Sequence, residues 1–455
     1  MAGRTIAGPA GAPWPAAGIA GPLLYLGSHT PHRPDTGEVV ASSAELPADA
    51  VRSVATGAAF VDIRADRFTA QAWQCLRNLE ATLAAAGATL AHLALLRVVL
   101  RRVEDGPFLA RVLAALLPAP LPAVDVMVCA TPGSDPAIDI VLDGIATHGG
   151  DAPPDKVILP ELAGLTQPYA TLARAGGLVF TSNLPGIDAG TDEAPARASA
   201  LPADLRSLVE ACRPGDREIE RFLVQQAAMW RNLRRLLELA GIPSRDVLYH
   251  NAWLLRSMQF LAYGSVARAL GRDFDGFALS CFPVTAIPGT DSLWTGRLVA
   301  RDPAGAMAKR VVGEPHALSR SYHGIVQAGP IVMTAGEVPI DLTVPRLIEG
   351  PRHLSAAARG IAAGRSDRAG PAAAQAAHVY GLLAEGLGQY GTGLGQVVHQ
   401  TIYLADLADT AAVLVVALGM FGGRLPATSI LPVLGATAYD GALIEIEVTA
   451  ATDAA

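Results

Sequence analysis

At 455 residues the chain is too long for one ordinary hydrophobic core, and 51% hydrophobic with 17% charged residues is a globular balance, not a disordered one. A formal net charge of -7 leaves no basic footprint for nucleic acid, and no apolar run reaches the roughly 18 residues that span a bilayer. Four scattered cysteines (Cys75, Cys129, Cys212, Cys281) without CxxC or knuckle spacing argue against a zinc site or a disulfide framework and suit a reducing compartment. An N-terminus with Arg4 as its one early charge and prolines at 9, 13 and 15 does not read as a signal peptide. The expectation is a soluble, cytoplasmic protein.

Taken in order, the chain writes one unit three times. GPLLYLGS (residues 21–28) is a short strand after a glycine, and LPADAVRS (46–53) reads as a short helix. Residues 69–105 follow with helical periodicity, a glycine stop at Gly87 suited to the left-handed position after a helix, and a buried strand at 93–100. LPAVD…IVLDGIA closes the unit as two strands, read as a hairpin. The middle third repeats these pieces as GGLVFTSN (176–183), LPADLRS (201–207), a helix stopped by Gly241, a buried strand and GFALS…WTGRLVA. The last third has GPIVMTAG (329–336), LSAAARG (354–360), a helix stopped by Gly391, another buried strand and LPATS…IEIEVTA. Gln71, Gly87, Leu90 and Asp105 fall on Gln375, Gly391, Leu394 and Asp409 without a gap, and Gln225 and Gly241 join the same columns. Linkers near 149–154 and 302–314 divide the chain into 1–152, 153–312 and 313–455. A period of about 150 residues exceeds a solenoid repeat and means three homologous α/β domains, each βαβ-rich with a mixed sheet.

Three stretches carry a resemblance to a known family: QPYATLARAGGLVFTSNLPGID in the middle copy, the QAxxxxxNLxxxLxxAG helix, and the closing LPATS…IEIEV. Each third resembles the RidA/YjgF family of enamine and imine deaminases. The resemblance implies a small α/β domain whose curved sheet carries two helices, and a trimer with its clefts at subunit interfaces. Three copies in one chain then form an intramolecular pseudo-trimer of RidA-like (chorismate-mutase-like) domains, in which each cleft is free to diverge. In the family an arginine after the Pro-Ala of the closing segment clamps the substrate carboxylate; the matching positions here are Val124, Leu279 and Thr428. The family's acid stands at Val141, Thr295 and Glu445, so only the third copy keeps it. The family's tyrosine near the start of each unit matches Tyr169 and Tyr322.

These positions set the candidate site. Glu445, in a strand alternating Leu443, Glu445, Glu447 against Ile444, Ile446, Val448, is the expected general acid or base: an acid in an apolar cleft takes a raised pKa suited to proton donation. The alternative is a solvent-facing carboxylate, the reading given to Glu447. Tyr322 and His323 stand where the resemblance places substrate contacts, with a surface loop as the alternative for His323. Thr428 and Ser429 offer hydroxyls, or simply cap their own turn. Arg424 is a candidate for the lost clamp, as are Arg97, Arg256 and Arg320, against ordinary surface pairing. His399, aligned with Tyr249 and Leu95, lies on a buried strand and reads as a substrate contact or as a satisfied core histidine. His29 and His32 lack a third ligand in register, so no metal and no cofactor are expected.

The functional expectation is a diverged RidA-like enzyme of small-molecule, specialised (antibiotic-type) metabolism. It would catalyse cyclisation, elimination or hydrolysis of an unsaturated carbonyl or imine-like substrate as a lyase, cyclase or hydrolase. The imine deamination of the family is not expected, because all three arginines are gone. Two alternatives stand beside it: a non-catalytic pseudo-trimer that binds a ligand or partner, and a chorismatase-like lyase or hydrolase, since chorismatases also look built from this fold. The expected partner is a small molecule, with no nucleic acid and no membrane, and with further association of the pseudo-trimer left open.

Overall fold

The computed structural model describes residues 4–7, 14–212, 215–255, 266–289, 291–318, 320–355, 358–360, 370–435 and 439–452. Three sheets follow one another along the chain with one strand order. The first runs Arg4–Ile6, Ala17–Ala20, Leu23–His29, Ile140–Thr147, Leu93–Leu100, Ala123–Val128. The second repeats that order from Asp155–Val157 to Ala278–Pro283, with Leu184–Pro185 added against Trp294–Arg301. The third runs from Lys309–Val311 to Ala427–Pro432. It therefore starts a few residues before position 313, where sequence alone placed the division. Among the described residues no helix is long and apolar enough to cross a membrane.

The closing segments are not hairpins. Ala427–Pro432 runs parallel to Val397–Leu404, and Ile444–Ala451 runs antiparallel along the other edge of that same strand. The first and second copies are built alike. A parallel neighbour needs a crossover, and the helices Gly106–Leu116 and Thr410–Met420 supply it in the first and third copies. The central strands are buried along their whole length because both edges and both faces are covered.

The repeated glutamines and glycines now have physical reasons. Each long helix (Ala59–Ala85, Arg217–Leu239, Pro371–Gly388) lies on its own sheet. Gln71, Gln225 and Gln375 are fully buried on those helices, and their Oε1 atoms accept from the backbone N–H of Asp139, Leu293 and Leu443 at 2.7, 2.7 and 2.8 Å. One side chain thus satisfies the amide just before each closing strand, which would otherwise be buried without a partner. Gly87, Gly241 and Gly391 have φ of 74°, 67° and 71°, the left-handed turn after each helix. The short helices read at 46–53 and 201–207 are Ala48–Val54 and Ala203–Ala211. Their counterpart in the third copy lies partly outside the described residues.

The largest apolar core draws on all three copies, among them Leu23, Leu95, Phe180, Tyr249, Ile331 and Val398. The face of each sheet opposite its long helix is therefore covered by the neighbouring copies. The approach is close at Gly18, where an added Cβ would overlap the carbonyl oxygen of Val398 in the third copy. Gly18→Ala is expected to cost about 1–3 kcal/mol through overpacking, read as a lowered midpoint in denaturant. An unchanged midpoint would mean that the first and third copies are not in this register.

Candidate active site

Strand register carries the alignment of the copies into space. Val124, Leu279 and Thr428 lie opposite Leu96, His250 and Gln400 on equivalent outer strands. Val141, Thr295 and Glu445 lie opposite Val99, Trp253 and Tyr403. The three copies then meet head to tail. The amide of Asn183 donates to the Val124 carbonyl at 3.1 Å, and that of Gly336 to the Leu279 carbonyl at 3.2 Å. Gly27 faces the backbone of Thr428. Each junction thus joins the lost-arginine position of one copy to the opening strand of the next.

At the junction of the second and third copies sits Glu445, 2% exposed. Its Oε1 rests on Gly336, where an added Cβ would overlap it, and its Oε2 has no hydrogen-bond partner among the described residues. Burial pushes its pKa well above the carboxylate range, and the nearby charges of Glu447 and Glu337 push the same way. Glu337 is held to this strand by reciprocal backbone bonds with Ile446 at 2.9 and 3.1 Å. Its carboxylate meets His316 Nε2 at 3.4 Å, and His316 Nδ1 stands 3.3 Å from the Tyr322 hydroxyl. The rings of His316 and Tyr322 stack with centroids 5.0 Å apart. Burial holds the Tyr322 phenol well above its usual pKa, with Glu337 and Glu445 adding to the effect. The second copy contributes Cys281, whose thiol is raised by burial and by Glu445. The result is a buried carboxyl whose proton is held above the ordinary carboxylate range, beside a histidine–glutamate–tyrosine group.

Glu447, expected to face solvent, does not. Tyr249, Ser280 and Tyr403 donate to its carboxylate at 2.5, 2.6 and 3.0 Å, and Arg97 stands 3.8 Å away. Asp143 and Arg297 occupy the same register position in the other two copies. Arg97 pairs with Asp143 at 2.8 Å; Arg297 pairs with Asp125 at 2.6 Å. Arg97, Asp143, Tyr249, Arg297 and Glu447 border a cavity of about 70 Å³ where the three sheets converge. One signal was available in the sequence: the aligned positions 143, 297 and 447 are charged in every copy although each lies in an apolar strand.

The remaining candidates disperse. Of the set read from the sequence, only Tyr322 joins Glu445. His323 turns toward Gly276, its ring lowered in pKa by burial and by Lys309. The Thr428 hydroxyl is used internally, donating to the Pro426 carbonyl and accepting from Gln400, both at 2.9 Å. Ser429 lies 3.2 Å from His399 Nε2, and His399 borders the axial cavity, its pKa lowered to about 4 by burial. Arg424 is exposed after the Thr410–Met420 helix. Arg97 belongs to the axial pairs, Arg320 is exposed, and Arg256 lies outside the described residues. His29 bonds the Gly27 carbonyl and Thr82, and His32 bonds Thr30. His316 and Glu337 were missed because each contributes only through a loop that the fold brings to the closing strand.

Three α/β units in one chain, closed around a common axis with inequivalent junctions, define the class: a fused pseudo-trimer with an RidA-like fold. Residues 314–452 match the sequence profile of the family described as Endoribonuclease L-PSP, so the RidA/YjgF resemblance holds for the third copy. RidA from an Antarctic Psychrobacter is 22% identical over 32% of this chain and 98% of its own, with a TM-score of 0.24. A member of the YjgF/YER057c/UK114 family from Mycobacterium tuberculosis is 24% identical over 32% and 100%, with a TM-score of 0.24. A chorismatase structure is 13% identical over 79% of this chain and 93% of its own, with a TM-score of 0.44. No curated protein matches the chain.

Proposed function

We propose that the protein is an acid–base enzyme of small-molecule metabolism in which Glu445 donates a proton to an unsaturated, carbonyl-bearing or imine-like compound. The chemistry would be cyclisation, elimination or hydrolysis at the junction of the second and third copies. One observation carries the reading: Glu445 is buried, its pKa is raised by that burial, and one of its oxygens has no hydrogen-bond partner among the described residues. Buried polar groups are normally paired, and a neutral carboxylic acid in an apolar site is the form that donates. The His316–Glu337 pair beside it offers a route for returning the proton. Leu279 at the former arginine position removes the carboxylate clamp, so substrate recognition there would not depend on an anionic group.

The test is turnover of enol-ether and enamine probes by the wild type and by Glu445→Gln, which keeps shape and neutrality but has no acidic proton. A loss of about 10²-fold or more in kcat with little change in KM is expected. Equal kcat in the two proteins would remove Glu445 as the donor and leave the junction a binding site.

A further inference from the structure

Glu445 and Glu447 lie on one face of the Ile444–Ala451 strand, so the acid at the junction stands next to the axial charges. Those charges are short of cations. Asp125, Asp143 and Glu447 stand against Arg97 and Arg297, and each guanidinium is paired with an aspartate, Arg97 with Asp143 at 2.8 Å and Arg297 with Asp125 at 2.6 Å. His399 adds no charge at neutral pH, since burial lowers its pKa to about 4. Glu447 is left with hydroxyl donors from Tyr249, Ser280 and Tyr403, and with Arg97 at 3.8 Å. Hydroxyls solvate a carboxylate without cancelling its charge.

One of these donors also reaches the acid. Ser280, fully buried in the second copy, donates to Glu447 Oε2 at 2.6 Å and accepts from the Gly336 amide at 2.9 Å. Gly336 is the backbone on which Glu445 rests, and no Cβ fits between them. A continuous path therefore runs from Glu447 through Ser280 and Gly336 to Glu445, leaving the third copy for the second and returning.

We infer that Glu447 and Ser280 are positioning residues for Glu445, coupling the axial charges to the junction through Gly336. This rests on the proposed role of Glu445 as the acid. Glu447 acts through space, its charge opposing ionisation of Glu445 as that of Glu337 does. Ser280 acts by contact, tethering the backbone packed against the Glu445 carboxyl. Tyr322, with His316 behind it, and Cys281 also face Glu445, and both variants below leave them in place.

Glu447→Gln keeps the size, removes the charge and leaves the axial aspartates and arginines in balance. The readout is the carboxylic-acid C=O band in infrared spectra of the full chain, assigned to Glu445 by its loss in Glu445→Gln and followed from pH 5 upward. In Glu447→Gln the pH at which half of this band is lost is expected to fall by about one unit or more. The alkaline limb of kcat/KM on an enol-ether probe should fall with it. Ser280→Ala, which frees the Gly336 backbone and keeps both glutamates, should lower the same midpoint. Circular dichroism establishes that each variant is folded. An unmoved or raised midpoint in either folded variant overturns the inference. A wild type without a Glu445 band at pH 5 overturns it together with the acid itself. Undiminished turnover by Glu445→Gln removes only the catalytic reading, and a shifted band would still uphold the coupling.

Discussion

Asp125→Ala is expected to destabilise the folded chain by about 3–5 kcal/mol, the cost of leaving a buried cation without its partner. Asp125 is wholly buried in the first copy and accepts from Arg297 Nε and Trp253 Nε1 of the second copy, both at 2.6 Å. Among the described residues Arg297 Nη1 has no hydrogen-bond partner, so the Asp125 carboxylate carries the ion pairing of this guanidinium. Arg97, another cation bordering the same cavity, disfavours its charge further. The expected result is not that the ion pair is strongly stabilising in itself, since desolvating two charges offsets most of their attraction. A double variant, Asp125→Ala with Arg297→Met, should recover most of the loss, and the difference is the coupling energy. Denaturant midpoints of the four proteins measure it. If Asp125→Ala costs less than about 1 kcal/mol, water reaches Arg297 through the axial cavity and the pair does not bind the first two copies together.

The same axis explains what could and could not be seen in the sequence. Helix, glycine stop and buried strand were legible because each depends on local periodicity and on one backbone conformation, and the buried glutamine marked them three times over. The order of strands was not legible. Ala427–Pro432 and Ile444–Ala451 look like a hairpin because they are neighbours in sequence, yet a third strand lies between them. Alternation in the last strand put Glu445 and Glu447 on one face, and Glu445 was expected in an apolar cleft, but Glu447 was read as a solvent-facing carboxylate on an edge. Here Ile444, Ile446 and Val448 pack toward the third copy's own helix, while Ser280 and Tyr249 of the second copy close over the Glu447 carboxylate. The dispersal of Thr428, Ser429 and His399 has the same origin. Side chains that belong to one copy in sequence face different neighbours once three copies close in a ring.

Glu445→Gln should be more stable than the wild type at alkaline pH, by a margin that grows with pH. The folded chain holds the Glu445 proton to a higher pH than the unfolded chain, because burial and the charges of Glu447 and Glu337 oppose ionisation. Between the ordinary carboxylate pKa and the raised one, the folded state therefore binds more protons than the unfolded state. Stability then falls as pH rises, by about 1.4 kcal/mol per pH unit while that difference amounts to one proton. Glutamine carries no proton to lose, so the variant is spared the decline. Below the carboxylate range both side chains are neutral, and the two proteins should match within about 1 kcal/mol. Titration of groups far from Glu445 is common to both and cancels in the difference. Melting temperatures of the pair from pH 5 to pH 8 provide the measurement, with the variant's advantage expected to widen from the ordinary carboxylate range upward until the raised pKa is passed. A difference that stays flat across that range would show Glu445 ionised in the folded protein and would remove the basis for its role as an acid. A widening advantage together with lost turnover would show that the fold gives up stability at this position to keep a proton where the substrate needs one.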